Sequence, residues 1–184
     1  MKNWKLILKL FTGLIIFLTG CSSKQQKPLD IRSVKATSGE MILLGKINKA
    51  NLEVSPLTPW FNQDYQRISI DAKWIESLKP YLKGLRVKIF MGTWCEDSRR
   101  EIPHFFKLLE SLEFDPNHIE MYAMSEEKST PENFEKGWEI FNIPTIIFLK
   151  NGIEINRFVE FPKISLESDI IKIIKREDYS HSYK

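Results

Sequence analysis

Short apolar runs alternate with amphipathic stretches from about residue 40 to residue 175, and this alternation sets an order of elements. Met41–Ile47 reads as a strand, interrupted by Gly45 and followed by the polar Asn48-Lys49-Ala50-Asn51. Residues 55–66 read as a loop with two prolines. The pair Trp60-Phe61 inside it is expected to pack over a domain edge, the other use of such a pair being ligand stacking. Asp71 can cap a helix through about Leu82, with Trp74, Ile75, Leu78, Tyr81 and Leu82 at helical spacing; Pro80 should shorten it and Gly84 end it. Residues 86–91 are a strand. A helix follows from near Cys95 to about Leu112, burying Ile102, Phe105, Phe106, Leu108 and Leu109, with Pro103 interrupting its ladder.

Ile119–Ala123 reads as a second buried strand, and residues 131–141 fit a helix, with Phe134, Trp138 and Phe141 at helical spacing. Residues 145–149 form a strand, Asn151-Gly152 is a hairpin signal, and Ile153–Val159 returns antiparallel. Residues 164–175 supply a last helix, and the polar tail beyond Arg176 should fray. The expected class is α/β, a central mixed sheet flanked by helices, with an N-terminal strand and helix extension. Residues 40–177 form the folded domain and residues 178–184 a tail.

Charge changes the picture at the N-terminus. The formal net charge is +3, and Lys2, Lys5 and Lys9 carry all of it; without the first twenty residues, 24 basic side chains face 24 acidic ones. That balance disfavours nucleic acid as a partner. The basic leader runs into the apolar stretch 10–18 and then Leu18-Thr19-Gly20-Cys21. This resembles the bacterial lipoprotein signal, in which small residues precede a cysteine that is lipidated and becomes the mature N-terminus. The alternative is an uncleaved span, but the apolar segment holds Lys5 and Lys9 and is marginal for the ~20 residues a span needs. Residues 1–20 thus read as a signal, Cys21 as the lipidation site, and 21–39 as a polar tether. The absence of an acidic residue at Ser22-Ser23 fits, by that resemblance, a periplasm-facing place in the outer membrane of a Gram-negative cell envelope. Cys21 and Cys95 are the only cysteines. A disulfide between them is one reading; a thioether at Cys21 would leave Cys95 as the only thiol.

The chemistry gathers where strand 86–91 hands over to a helix through Gly92-Thr93-Trp94-Cys95. A thiol at a helix N-terminus meets unpaired N–H groups and the positive end of the dipole, which favour thiolate. Ser98, one turn on, can offer its hydroxyl to that thiolate; Arg99 and Arg100 act in the same direction, and Glu96 and Asp97 against it. His104 falls on the opposite side of the helix and is a poor base for Cys95, while His118 and His181 lie in a loop and in the tail. No set of residues has metal-ligand spacing, and no phosphate loop, nucleophile elbow or dinucleotide fingerprint occurs, so neither metal nor cofactor is expected.

Three matches, covering about residues 86–175, make the chain resemble thioredoxin: Trp94-Cys95, Pro103 eight residues later, and Ile143-Pro144-Thr145 followed by Phe148 to Gly152. Trp60-Phe61, Phe90 to Cys95, Asp97 to Glu101 and Val159-Glu160-Phe161-Pro162 look further like thioredoxin-family lipoproteins of Bacteroidetes. The resemblance implies a cis peptide bond before Pro144 and a substrate groove walled by Trp94, Ile143, Pro144 and Thr145. It also exposes two departures. Ser98 stands where the resolving cysteine would be, and Ile89 where a buried Asp would assist proton transfer. Two functions stay open: thiol–disulfide exchange by Cys95 alone with protein or small-molecule partners, or a peptide-binding module without turnover.

Overall fold

The computed structural model describes residues 26–183. The signal expected over 1–20 and the lipidation expected at Cys21 fall outside the described residues. Six strands form one mixed sheet: β1 (Arg32–Lys35), β2 (Met41–Ile47), β3 (Leu85–Met91), β4 (Ile119–Ala123), β5 (Thr145–Lys150) and β6 (Ile153–Val159). Their spatial order is β1-β2-β4-β3-β5-β6. The central pair β3 and β4 is parallel, with Val87 opposite Ile119 and Met91 opposite Ala123; every other pairing is antiparallel.

The helices are α1 (Lys49–Val54), α2 (Pro59–Arg67), α3 (Ala72–Leu78), α4 (Glu96–Ser111) and α5 (Leu166–Lys175). Their buried residues join the main core on one face of the sheet, where Phe105, Leu108, Ile170 and Ile173 meet Val87, Ile89, Met121, Ile146 and Phe148. The opposite face carries a smaller cluster of Phe90, Tyr122, Met124, Ile143, Ile147 and Leu149.

Several expectations are corrected. The helix expected over 131–141 is absent. Asn133, Gly137 and Glu139 adopt positive φ, and Thr130 and Glu135 bond each other and local backbone groups instead of a helical ladder. Phe134 and Trp138 still cover the sheet, while Phe141 is exposed. Of the loop expected over 55–66 only 55–58 is a turn; the rest is helix, because Pro59 opens α2 at its first turn. Phe61 is wholly buried in the main core rather than at an edge, and Trp60 packs partly against it.

The tether expected over 21–39 is ordered in its second half: Arg32–Lys35 pairs along β2, and Asn48 and Asn51 hold the backbone of Lys27 and Leu29. The tail does not fray. Asn156 Nδ2 donates to Tyr179 O, Tyr179 OH to Asp169, and Tyr183 OH to Glu160.

Other expectations hold. Asp71 caps α3, and Pro80 sits in a short 3-10 turn, Lys79–Tyr81, that replaces its last turns. Asn151-Gly152 closes the β5–β6 hairpin with φ of 54° and 80°. The interruption expected at Gly45 is not found: β2 runs unbroken through it, Gly45 taking φ 96°.

Candidate active site

β3 ends at Met91, and four residues, Gly92 to Cys95, carry the chain across the top of the sheet to α4. Gly92 is required there. A Cβ on it would lie 2.7 Å from Trp94 Nε1, 2.8 Å from Trp94 Cε2 and 2.9 Å from Ile143 Cδ1. The buried Thr93 uses its hydroxyl oxygen to accept from Leu43 N at 3.1 Å, fastening the turn to β2. Trp94 Nε1 donates to Met124 O at 3.0 Å, so the indole is fixed to the end of β4.

Cys95 is the N-cap residue of α4, and its backbone N–H donates to Gly92 O. Its thiol is free and half-buried, and Sγ donates to Ile143 O at 3.4 Å. The peptide bond between Ile143 and Pro144 is cis. The expected loop therefore does stand beside Cys95. Ile143, Pro144 and Thr145 are buried, so their side chains form the floor of the site rather than an open wall. Thr145 Oγ1 donates to Asn142 O at 2.5 Å. Glu160 N donates to Pro144 O at 2.7 Å, and its carboxylate accepts from Asn142 Nδ2 at 2.9 Å. Glu160 and Asn142 thus brace the loop from both sides.

Ser98 is brought near but is otherwise employed. It is wholly buried, and Oγ accepts from Gly92 N at 3.2 Å. Among the described residues no hydrogen bond joins it to Cys95. The arginines are likewise spent on other partners: Arg99 Nε donates to Thr93 O and Nη2 to Glu40, both at 2.7 Å, while Arg100 bonds Asp97 and Glu101. Ile89 lies fully in the core, so no carboxylate sits beneath the thiol there. His104 pairs with Glu167 of α5 at 2.8 Å, away from Cys95.

Beyond the Cys95 end, Lys88 is tucked between the Tyr122 and Trp138 rings, 5.1 and 5.0 Å from their centroids, and bonds Glu120. That bond holds the Glu120 carboxyl below its usual range, although burial opposes it. Burial pushes Glu101 up, against its bond to Arg100. No cluster of metal-ligating groups occurs among the described residues.

A cysteine at a strand-to-helix junction faces a cis-proline that starts the strand antiparallel to it, and the sheet carries a terminal hairpin and a last helix. The fold is thioredoxin-like. The sequence agrees: 31% identity over 90 residues to the thioredoxin-like protein R548 of Acanthamoeba polyphaga mimivirus, and 29% over 85 residues to thioredoxin H9 of Arabidopsis thaliana. These matches cover 49% and 46% of this chain, and 63% and 56% of the relatives' own lengths. Among solved structures, a protein of unknown function from Pseudomonas aeruginosa superposes with a TM-score of 0.50 at 16% identity, over 72% of this chain and 81% of that one. No protein-family model matches.

Sequence reasoning missed Glu160 and Asn142 as braces of the thioredoxin-like site. Their signal was weak: Val159 to Pro162 stood out only as part of a resemblance. It also missed Gly92 as a packing requirement, which nothing but the closeness of Trp94 and Ile143 reveals.

Proposed function

We propose that this chain is a membrane-tethered thioredoxin-like protein that carries out thiol–disulfide exchange through Cys95 alone. The observation that carries the reading is the half-buried Sγ at the start of α4, 3.4 Å from the carbonyl that precedes the cis-proline. The Cys95 thiolate attacks one sulfur of a disulfide R–S–S–R′. A Cys95–S–S–R bond forms, the old S–S bond breaks, and R′–S⁻ leaves with the electron pair. Ser98 offers no sulfur for the second step, so a thiolate from another molecule attacks the adduct, restores Cys95 and carries R away as a new disulfide. Because the protein ends as it began, the chemistry suits shuffling of disulfides better than net reduction. Partners are protein or small-molecule thiols and disulfides. Trp94 and the edge of the 143–145 loop flank the approaching sulfur.

The tether is the thioether-linked lipid at Cys21, holding the domain on the periplasmic side of the cell envelope. The leader and Leu18-Thr19-Gly20-Cys21 support this part.

A second reading, a peptide-binding module without turnover, is favoured by one observation. Ser98 is turned inward to Gly92 N and gives Cys95 no assistance. The experiment that separates the two is exposure of the folded protein to an excess of a small symmetrical disulfide, followed by mass. Exchange predicts an adduct on Cys95 that persists until a thiol is added and is missing in Cys95→Ser. A Cys95 that forms the adduct only in denaturant overturns the exchange reading and leaves the binding module. For the tether, Cys21→Ala should abolish fatty-acid labelling; unchanged labelling refutes the anchor.

A further inference from the structure

We propose that the domain stands on an anionic phospholipid surface through its basic end, with Cys95 held at the end facing away. The inference rests on the lipid anchor at Cys21 proposed above.

The direction follows from the strands. β3 and β4 are parallel, and Cys95 lies just past the finish of β3. The chain from Cys21 reaches the domain at the other end. Gln26 Nε2 donates to Pro116 O at 3.1 Å, in the 3-10 turn that precedes β4. Asn48, just past the end of β2, donates to Lys27 O at 2.7 Å. Asn51 holds Leu29 through two bonds, of 3.2 Å to its N–H and 2.9 Å to its carbonyl. Only residues 22–25 then separate Cys21 from Gln26, a reach of about 18 Å at full extension. The 16 residues of α4 carry Cys95 about 24 Å further away.

Charge is distributed to match. The anchored end carries Lys27, Lys83, Arg86, Lys150, Lys175 and Arg176, and none of these enters an ion pair among the described residues. Lys150 and Lys175 both gather at Tyr81, one on its carbonyl and one over its ring. Of the acids there, Glu110 and Glu113 are paired with Lys49 and Lys79 and Glu154 with Arg157, Asp115 caps the turn before β4, and Asp30, Glu177 and Asp178 remain. Tyr81 and Ile153 are exposed at this end, Ile153 by 72%, and offer apolar contact at headgroup depth. The Cys95 end carries the acids Glu40, Glu96, Asp97, Glu126, Glu127 and Glu160 against Lys35, Lys128, Arg99 and Arg100, the two arginines being engaged by Glu40, Asp97 and Glu101. Basic groups within a Debye length, about 8 Å at physiological salt, are attracted to anionic lipid, and a lipid chain with a basic patch makes a two-part anchor.

The test uses the full lipidated chain in vesicles of phosphatidylethanolamine and phosphatidylglycerol. A fluorophore is attached at native Cys95, or at position 153 in Cys95→Ser/Ile153→Cys, and quenched from lipid-borne nitroxide. Quenching should be severalfold stronger at 153 than at 95. It should fall towards the value at 95 in phosphatidylcholine vesicles, in 0.5 M salt, and in the charge-reversed Lys83→Glu/Arg86→Glu/Arg176→Glu. A ten-residue Gly-Ser insertion after Ser23 should lower it as well. Equal quenching at both positions, or stronger quenching at 95, in a chain that still carries fatty acid overturns the orientation and leaves the anchor standing. A chain without fatty acid overturns both.

Discussion

Replacing Gly92 with Ala tests how the Cys95 site is held. Gly92 has no positive φ, so its backbone tolerates Ala and the penalty is steric alone. The added Cβ meets the Trp94 indole at 2.7 and 2.8 Å and Ile143 Cδ1 at 2.9 Å, all under the closest approach that real Cβ atoms make. Neither neighbour yields freely. The indole is tied to Met124 O, and Ile143 is buried with its carbonyl bonded to Cys95 Sγ. Overpacking of this kind costs about 1–3 kcal/mol. If the indole swings out, the Trp94–Met124 bond adds roughly 1 kcal/mol. Together the loss is about 2–4 kcal/mol, read from the midpoint of urea unfolding. The rate at which Cys95 reacts with a thiol reagent should change in the same variant, because the wall and the floor of its site both move. A loss under about 0.5 kcal/mol, the scatter of ordinary surface changes, with an unaltered thiol rate, would refute the claim that Gly92 is where Trp94 and the proline loop meet.

Ser98→Ala should leave Gly92 N buried without an acceptor and cost about 1–3 kcal/mol in urea unfolding. Ser98→Cys should form a disulfide with Cys95 on oxidation, visible as the loss of two hydrogens in the mass; two thiols that stay free under oxidant argue against that geometry. Glu120, held low by Lys88, contributes stability present above the unfolded glutamate value of about 4.3 and lost as pH falls through its folded value. Glu101, pushed up by burial, acts with the opposite sign: its contribution is present at low pH and declines as pH rises from about 4.3 through its folded value. Glu120→Gln should therefore flatten the acid limb of urea midpoint against pH, and Glu101→Gln should steepen it. Tyr179→Phe removes one of the bonds to the buried Asp169, which keeps Lys163 N, and should lower stability by about 1 kcal/mol in the same assay.

Five of the six strands were legible because they are short apolar runs with clear punctuation, Gly84 before β3 and Asn151-Gly152 between β5 and β6; β1, the polar and exposed Arg32–Lys35, has no such signal and read as tether. The thiol at the head of α4 and its proline loop were legible because Trp94-Cys95 and Ile143-Pro144-Thr145 are local words at a fixed distance. Periodicity misled where side chains bond locally. Phe134, Trp138 and Phe141 keep helical spacing, yet Gly137 and Glu139, both with positive φ, turn the chain between them. In α2 the opposite happened: Pro59 looked like a breaker, but at a first helical position it costs no hydrogen bond. The inward turn of Ser98 was not legible, since a hydroxyl one turn past a thiol can face either way and only the nearby Gly92 N–H decides it.

The cover over the second sheet face is fastened by a few rivets rather than by a helical ladder. Arg157 grips Glu154 with two nitrogens and gives a third to Trp138 O at 2.7 Å, and Lys88 wedges beneath the Trp138 ring. A helix in that place would tie length to pitch, so that each inserted residue would rotate everything after it by about 100°. A riveted coil carries no such phase. Extra residues between its fixed points add only a slowly growing, logarithmic closure cost. The stretch between Phe134 and Trp138 is thus where this molecule can absorb insertions, tags or new recognition loops while the strands beneath keep their register.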